Sequence, residues 1–147
     1  MVAIEFALIF VFGLLPLLML TLSGVLIFAA RQSLTLAAAE GARASLHFGS
    51  PEQRGMYACT AAKRSMQWLL DFSGNTATCT SGGLAGAITV DSPAACPSTP
   101  DMTCVTVHTS FNHDDHPFIP GTTSLYHWLM HGPIHSSATM QLDTQGS

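Results

Sequence analysis

Positive charge is what this chain has least of. Lysine and arginine together number 5 in 147 residues, against 9 aspartates and glutamates, for a formal net charge of -4. All five cations (Arg31, Arg43, Arg54, Lys63 and Arg64) precede residue 65, and the chain beyond holds six acids and no base. A nucleic-acid module needs Lys and Arg clustered against phosphates, so that class is excluded. Charge of either sign is scarce: charged residues make up 10%, against about 25% in an average soluble domain. This composition excludes intrinsic disorder and a simple coiled coil. The chain also lacks a G-x-S-x-G elbow and a Gly-rich turn leading into a helix with Lys. No spacing assembles a nucleophile, a base and an orienting group, so an enzyme is not expected. At roughly 100–200 residues per domain, the length allows one.

Hydrophobic residues make up an ordinary 48%, yet mean hydropathy is +0.35. The excess is concentrated at the front. From Phe6 to Ala30 the chain carries no charge at all. As a helix this run spans about 37 Å, more than the roughly 30 Å of a hydrocarbon core. A secretory signal would need a basic start, a core of about 7–15 residues and a small-residue cleavage site. The run is too long and no base precedes it, so a membrane helix is expected. Glu5 stands at its edge. A carboxylate at the centre of such a helix costs about 2.5–3.5 kcal/mol. Either Glu5 lies in the headgroup zone, or it pairs with an α-amino group, its own or a neighbour's. Pro16 removes one helix hydrogen bond and should kink the span, with Gly13 and Gly24 as weaker points.

Beyond the span, helical periodicity continues. Leu34, Ala37, Ala38, Gly41, Ala44, Ser45 and Phe48 recur at steps of three and four, a stripe of small and apolar groups suited to close helix packing. Glu40 and Arg43 can pair across one turn. Gly49-Ser50-Pro51 then breaks the helix and starts another. Ser50 is placed to cap it, Pro51 suits the first helical position, and Gln53 can cap reciprocally. Met56, Cys59, Ala62, Met66, Leu69 and Leu70 form a core stripe ending near Phe72, with Gly74 as the stop. Strands are expected at Ala87–Val90, at Thr103–Thr109, and from Ala138 to Leu142, with a proline-containing loop over Asp91–Met102 between the first two. The expected class is α+β: a long N-terminal transmembrane and stalk helix, a second helix, and a small antiparallel sheet head. The boundaries read are 1–30 for the span, 31–48 for the stalk and 49–147 for the head.

Cys59, Cys79, Cys96 and Cys104 lack C-x-x-C spacing, which disfavours zinc and redox catalysis and favours two disulfides. Of three connectivities, Cys59–Cys79 with Cys96–Cys104 closes the most local loops. Seven histidines are many for this length, and six of them lie from His108 onward. His113-Asp114-Asp115-His116 and the helical pair His127 and His131 are weak metal candidates, with solvated loop histidines the simpler reading and no cofactor expected. Trp128, with Tyr126 and Phe118 nearby, is expected to anchor the head.

The stretch Val2-Ala3-Ile4-Glu5-Phe6-Ala7-Leu8-Ile9-Phe10 resembles the processed N-terminus of the type IV pilin superfamily. The resemblance is strongest to TadE-like pseudopilins of tight-adherence (type IVc) pili. Ala37-Ala38-Ala39-Glu40-Gly41-Ala42-Arg43 looks like that family's small-residue block. Val105-Thr106-Val107 with Phe111, Pro117-Phe118-Ile119-Pro120 and Leu125 looks like its strand, proline turn and short apolar helix. Ser137-Ala138-Thr139-Met140-Gln141-Leu142 looks like its closing strand. The resemblance implies a prepilin peptidase that removes a basic leader and leaves an acid as fifth residue. It implies an inner-membrane assembly platform and other pilin subunits as partners, and extraction from the membrane into a filament. Such a leader would also reconcile an extracytoplasmic, disulfide-bonded head with the absence of bases before the span. Met1, Glu5 and Phe6, with the helix break at Pro16, are the candidate assembly residues. A minor pilin or pseudopilin is therefore expected, and a single-pass envelope binding module is the alternative.

Overall fold

A computed structural model describes residues 2–120 and 132–142. The apolar front forms one nearly continuous helix: α1 (Val2–Ile9), a π-turn (Phe10–Leu14) and α2 (Leu15–Ala44). The π-turn has a local cause. Pro16 has no N–H to donate, and its ring crowds the carbonyl one turn back. The Leu15 N–H reaches past that point to the Phe10 carbonyl, five positions earlier. The expected break at Pro16 is thus taken up by a wider turn just before it.

The helix changes character at residue 23. Ala3 to Leu22 are all exposed. Ser23, Ile27, Ala30, Leu34, Ala37, Ala38, Gly41 and Ala42 are buried, at steps of one, three and four that mark one face. The uncharged run to Ala30 is therefore shared: its last third is core of the head. The stripe also ends sooner than its spacing suggests. α2 stops at Ala44, Ser45 is buried in the following turn, and Phe48 is 89% exposed. Gly49 and Pro51 end the pattern before Phe48 can be carried round to the core side.

α3 (Pro51–Ser65) packs along α2. Its start is a full capping box: the Gln53 N–H donates to Ser50 Oγ, and the Ser50 N–H donates to Gln53 Oε1 at 3.1 Å. The buried face is Gly55, Ala58, Cys59 and Ala62, while Met56 is 43% exposed. The inward position expected of Met56 falls instead to Gly55, where a Cβ would collide with the Ser81 carbonyl, while close approach to α2 keeps Ala58 and Ala62 small. Gly41 marks that approach. A Cβ there would lie 3.0 Å from the Ala58 carbonyl and 3.1 Å from side-chain carbons of Ala62 and Val107. Met66, outside helical geometry at φ -113°, separates α3 from α4 (Gln67–Phe72). Gly74, at φ 66°, turns the chain away, and the Asn75 and Gly74 N–H groups donate to the Leu70 and Asp71 carbonyls.

The sheet is antiparallel, with strands β1 (Gly83–Leu84), β2 (Ile88–Val90), β3 (Ala94–Ala95), β4 (Thr103–Phe111) and β5 (Ile134–Leu142). β4 is central. It pairs β5 along its whole length, from Thr103↔Leu142 to Phe111↔Ile134, and meets β2 and β3 along its other edge. Alternation decides the faces. Val105, Val107, Thr109 and Phe111 are buried on one face with Ile88, Val90, Ile134 and Leu142, in one core with Leu34, Ala37, Ala62 and Met66. A buried Thr109 hydroxyl donates to the Leu34 carbonyl at 2.9 Å, tying sheet to helix. The outer face is polar. Thr106 and Thr139 hydroxyls lie 2.9 Å apart, and His108 Nε2 lies 3.1 Å from Asp91 Oδ2.

Two disulfides brace the head. Cys59–Cys79 joins α3 to the coil ahead of β1, and Cys96–Cys104 ties the proline loop to β4. The enclosed separations of 20 and 8 residues correspond to about 3 and 2.5 kcal/mol of loop-closure entropy removed from the unfolded chain.

Candidate functional site: the exposed helix and its junction with the head

The apolar half of the helix is the molecule's most unusual surface. Ile4, Phe6 and Phe12 are 69%, 70% and 76% exposed, and Leu17 and Leu22 exceed half. Soluble monomers rarely leave so large an apolar patch uncovered. From Ala3 to Leu22 the helix runs about 30 Å, the thickness of a hydrocarbon core. This is the one helix among the described residues long and apolar enough to cross a membrane, with mean hydropathy 2.5 over its best window. A polar side chain within it is served by its own helix: the Thr21 hydroxyl donates to the Leu18 carbonyl at 2.9 Å. Only beyond Leu22 does the helix enter the head.

Glu5 lies in the first turn, where the helix dipole favours a negative charge. It is exposed and makes no ion pair among the described residues. Phe6 is beside it and is also exposed. Pro16 lies in the first turn of α2, directly above the π-turn. Met1 lies outside the described residues. The structure thus puts Glu5 and Phe6 on an open apolar surface, with Pro16 more than two turns away along it.

Among the described residues the tail's candidate ligands do not converge. His113 is buried, with its ring edge-on to Phe118 at 5.4 Å, whereas His116 is exposed. Burial pushes the His113 pKa below its ordinary value, and the neighbouring Asp114 carboxylate partly restores it. Among the described residues no three His, Cys, Asp or Glu side chains gather to hold a metal. His127 and His131 lie outside the described residues, as do Leu125, Tyr126 and Trp128.

Phe118 packs into the head through partners the sequence did not suggest. Its ring stacks on Phe111 at 5.5 Å and also meets Phe72 at 5.0 Å and Trp68 at 6.0 Å. Trp68 Nε1 in turn donates to Ser33 Oγ at 3.1 Å, and Ser33 Oγ donates to the Ser65 carbonyl. The proline segment, α4 and the stalk are thereby linked at one place. Residues 68, 72, 111 and 118 lie too far apart in sequence for spacing to group them. The junction's other overlooked side chain is Arg31. It is exposed on α2 beside Phe28, Gln32, Thr35, Leu36 and Ala39, which line a shallow groove.

Neither a family model, nor a curated protein, nor a solved structure matches this chain.

Proposed function

We propose that this chain is a non-enzymatic structural subunit of a type IVc-like pilus, a minor pilin or pseudopilin. The observation that carries the reading is the division of one helix into two halves. Ala3–Leu22 is exposed throughout, while the part from Ser23 onward is core of a disulfide-braced head. A head fixed to the upper half of a helix whose lower half is bare suits a subunit held first in lipid and then among like helices. The N-terminal residues resemble those of tight-adherence pseudopilins, which supports the same reading.

In this account a prepilin peptidase yields the mature end and an inner-membrane platform extracts the subunit. The head stands in the periplasm before assembly and outside the cell afterwards. Phe6 and its apolar neighbours pack against other copies, and Glu5 neutralises the terminal amine of a neighbour, Met1 in this numbering. An unpaired carboxylate is costly away from water and a paired one is tolerable, so the pair favours correct axial register. A head that takes up most of the chain suits a minor role in priming or capping, or in surface adhesion.

Glu5→Ala tests the reading. Membrane insertion is expected to persist while the amount of chain in sheared filaments falls sharply. Undiminished incorporation would refute it. One apolar helix also suits a plain membrane anchor for an envelope binding module. That alternative leaves the wild-type chain wholly in the membrane fraction.

A further inference from the structure

We propose that the open flank of α2 is the docking strip for the N-terminal helix of a second copy, with Arg31 of one copy receiving Glu5 of the other. The inference rests on the assembly reading above and adds to it a register and a partner. Through residue 39, Glu5 and Arg31 are the only charged side chains. Both are exposed, and neither makes an ion pair among the described residues. Arg43, by contrast, is paired with Glu40 at 3.0 Å, while Arg54 and Lys63 donate to the carbonyls of Gly49 and Ala77. Arg31 is set among apolar groups: Phe28 is 62% exposed, Leu36 is 53% exposed, and Ala39 completes the groove. A guanidinium there is poorly served by its own chain.

Glu5 and Arg31 cannot meet within one molecule. They stand roughly 39 Å apart along one rod at helical rise. Only another copy can bring them together. Copies inserted from the same side of a membrane are parallel, so the match fixes their stagger, with Glu5 of one level with Arg31 of the other. That stagger also aligns the flanks. Ile9 comes level with Thr35, Phe10 with Leu36, and Gly13 with Ala39. Gly13 has nothing within 4 Å of where a Cβ would stand, and small residues at such a level let two helices close up. The apolar lower half of one copy thus covers the apolar flank of the other. A carboxylate accepts at two oxygens, so Arg31 can join the terminal amine of a different neighbour at Glu5.

The test uses the full chain in cells that assemble filaments. Arg31→Glu should leave membrane insertion intact and lower filament incorporation about a hundredfold or more, the range for a charge left unpaired in a dry interface. Arg31→Lys, which keeps the charge, should retain most of the incorporation. Phe10→Cys in one copy and Leu36→Cys in another should cross-link within isolated filaments. If Arg31→Glu assembles normally, or Arg31→Lys fails as badly as Arg31→Glu and no cross-link forms while Glu5→Ala remains defective, the strip is refuted and the assembly reading stands. If Arg31→Glu instead impairs insertion, Arg31 serves a lipid headgroup and the strip is likewise refuted. If Glu5→Ala assembles normally, the assembly reading itself fails.

Discussion

The two halves of the N-terminal helix are built from the same kinds of residue and held in opposite ways. Below Ser23 every side chain from Ala3 onward is exposed. Above, Ser23, Ile27, Ala30, Leu34 and Gly41 are buried where α3 and the sheet pack on the helix. The upper half is therefore stabilised by its own fold. The lower half depends on what surrounds it, because apolar groups in water are unfavourable at about 25 cal/mol per Å². Hydrophobicity alone does not distinguish a helix bound for lipid from one bound for a core. The difference lies in whether the remainder of the chain supplies a matching surface.

Leucine truncation should expose this contrast most strongly. Leu34→Ala empties a fully buried site and is expected to cost about 2–5 kcal/mol in the head's unfolding free energy. Leu17→Ala, at 62% exposure, should leave that value unchanged and act only on partition into detergent or lipid. Chemical denaturation in mild detergent, following the head, measures both. An equal loss at the two positions would mean that the halves are not independent.

Glycine gives a finer version of the same comparison. Gly41→Ala places a methyl 3.0 to 3.1 Å from three groups that pack from α3 and β4, and overpacking of this kind costs about 1–3 kcal/mol. Gly13→Ala meets nothing and should be neutral or stabilising by up to about 1 kcal/mol of helix propensity. Thermal melts of the two variants, read against wild type, decide the sign at each.

The smallest expected effect is that of pH on the head. The folded state holds His113 below its ordinary pKa, chiefly through burial, so between the folded and unfolded values the unfolded chain binds more protons. Stability should therefore be full above the unfolded value of about 6.5 and decline as pH falls below it, levelling off beneath the folded value. His113→Gln should flatten that part of the profile. Denaturation midpoints at about pH 7.5 and 5.5 provide the check. The exposed helix carries no histidine and should contribute nothing to the slope.

Much of the head was legible because its signals are local. Ser50 and Gln53 announce a capping box by spacing, Gly74 a helix stop, and the alternation around Val105 and Val107 a strand. What escaped depends on partners distant in sequence. Ser23 and Ala30 suit lipid and core alike, so residue type could not mark where the helix changes role. Met56 looks like a better core residue than Gly55 or Ala58, yet the Ser81 carbonyl leaves no room for a side chain at Gly55 and the crossing at Gly41 admits only a small one at Ala58. β1 and β3 are too short to show a period. The aromatic group around Phe118 unites segments that no spacing rule connects. Glu5 stood out as the lone acid of an apolar run, while Arg31 gained meaning only once the head was seen to leave its flank open.

The π-turn between Phe10 and Leu14 carries one last consequence. An extra residue in a turn changes the clocking of everything beneath it, by about 100° for each residue of phase. The compass bearing of Glu5 relative to the sheet is therefore set midway down the rod, by a proline that touches neither. Pro16→Ala, which lets the same residues relax to an ordinary α-turn, would leave composition, length and hydropathy almost untouched. It would swing the acid about a quarter of the way round the helix and aim it away from any cation waiting on a neighbour.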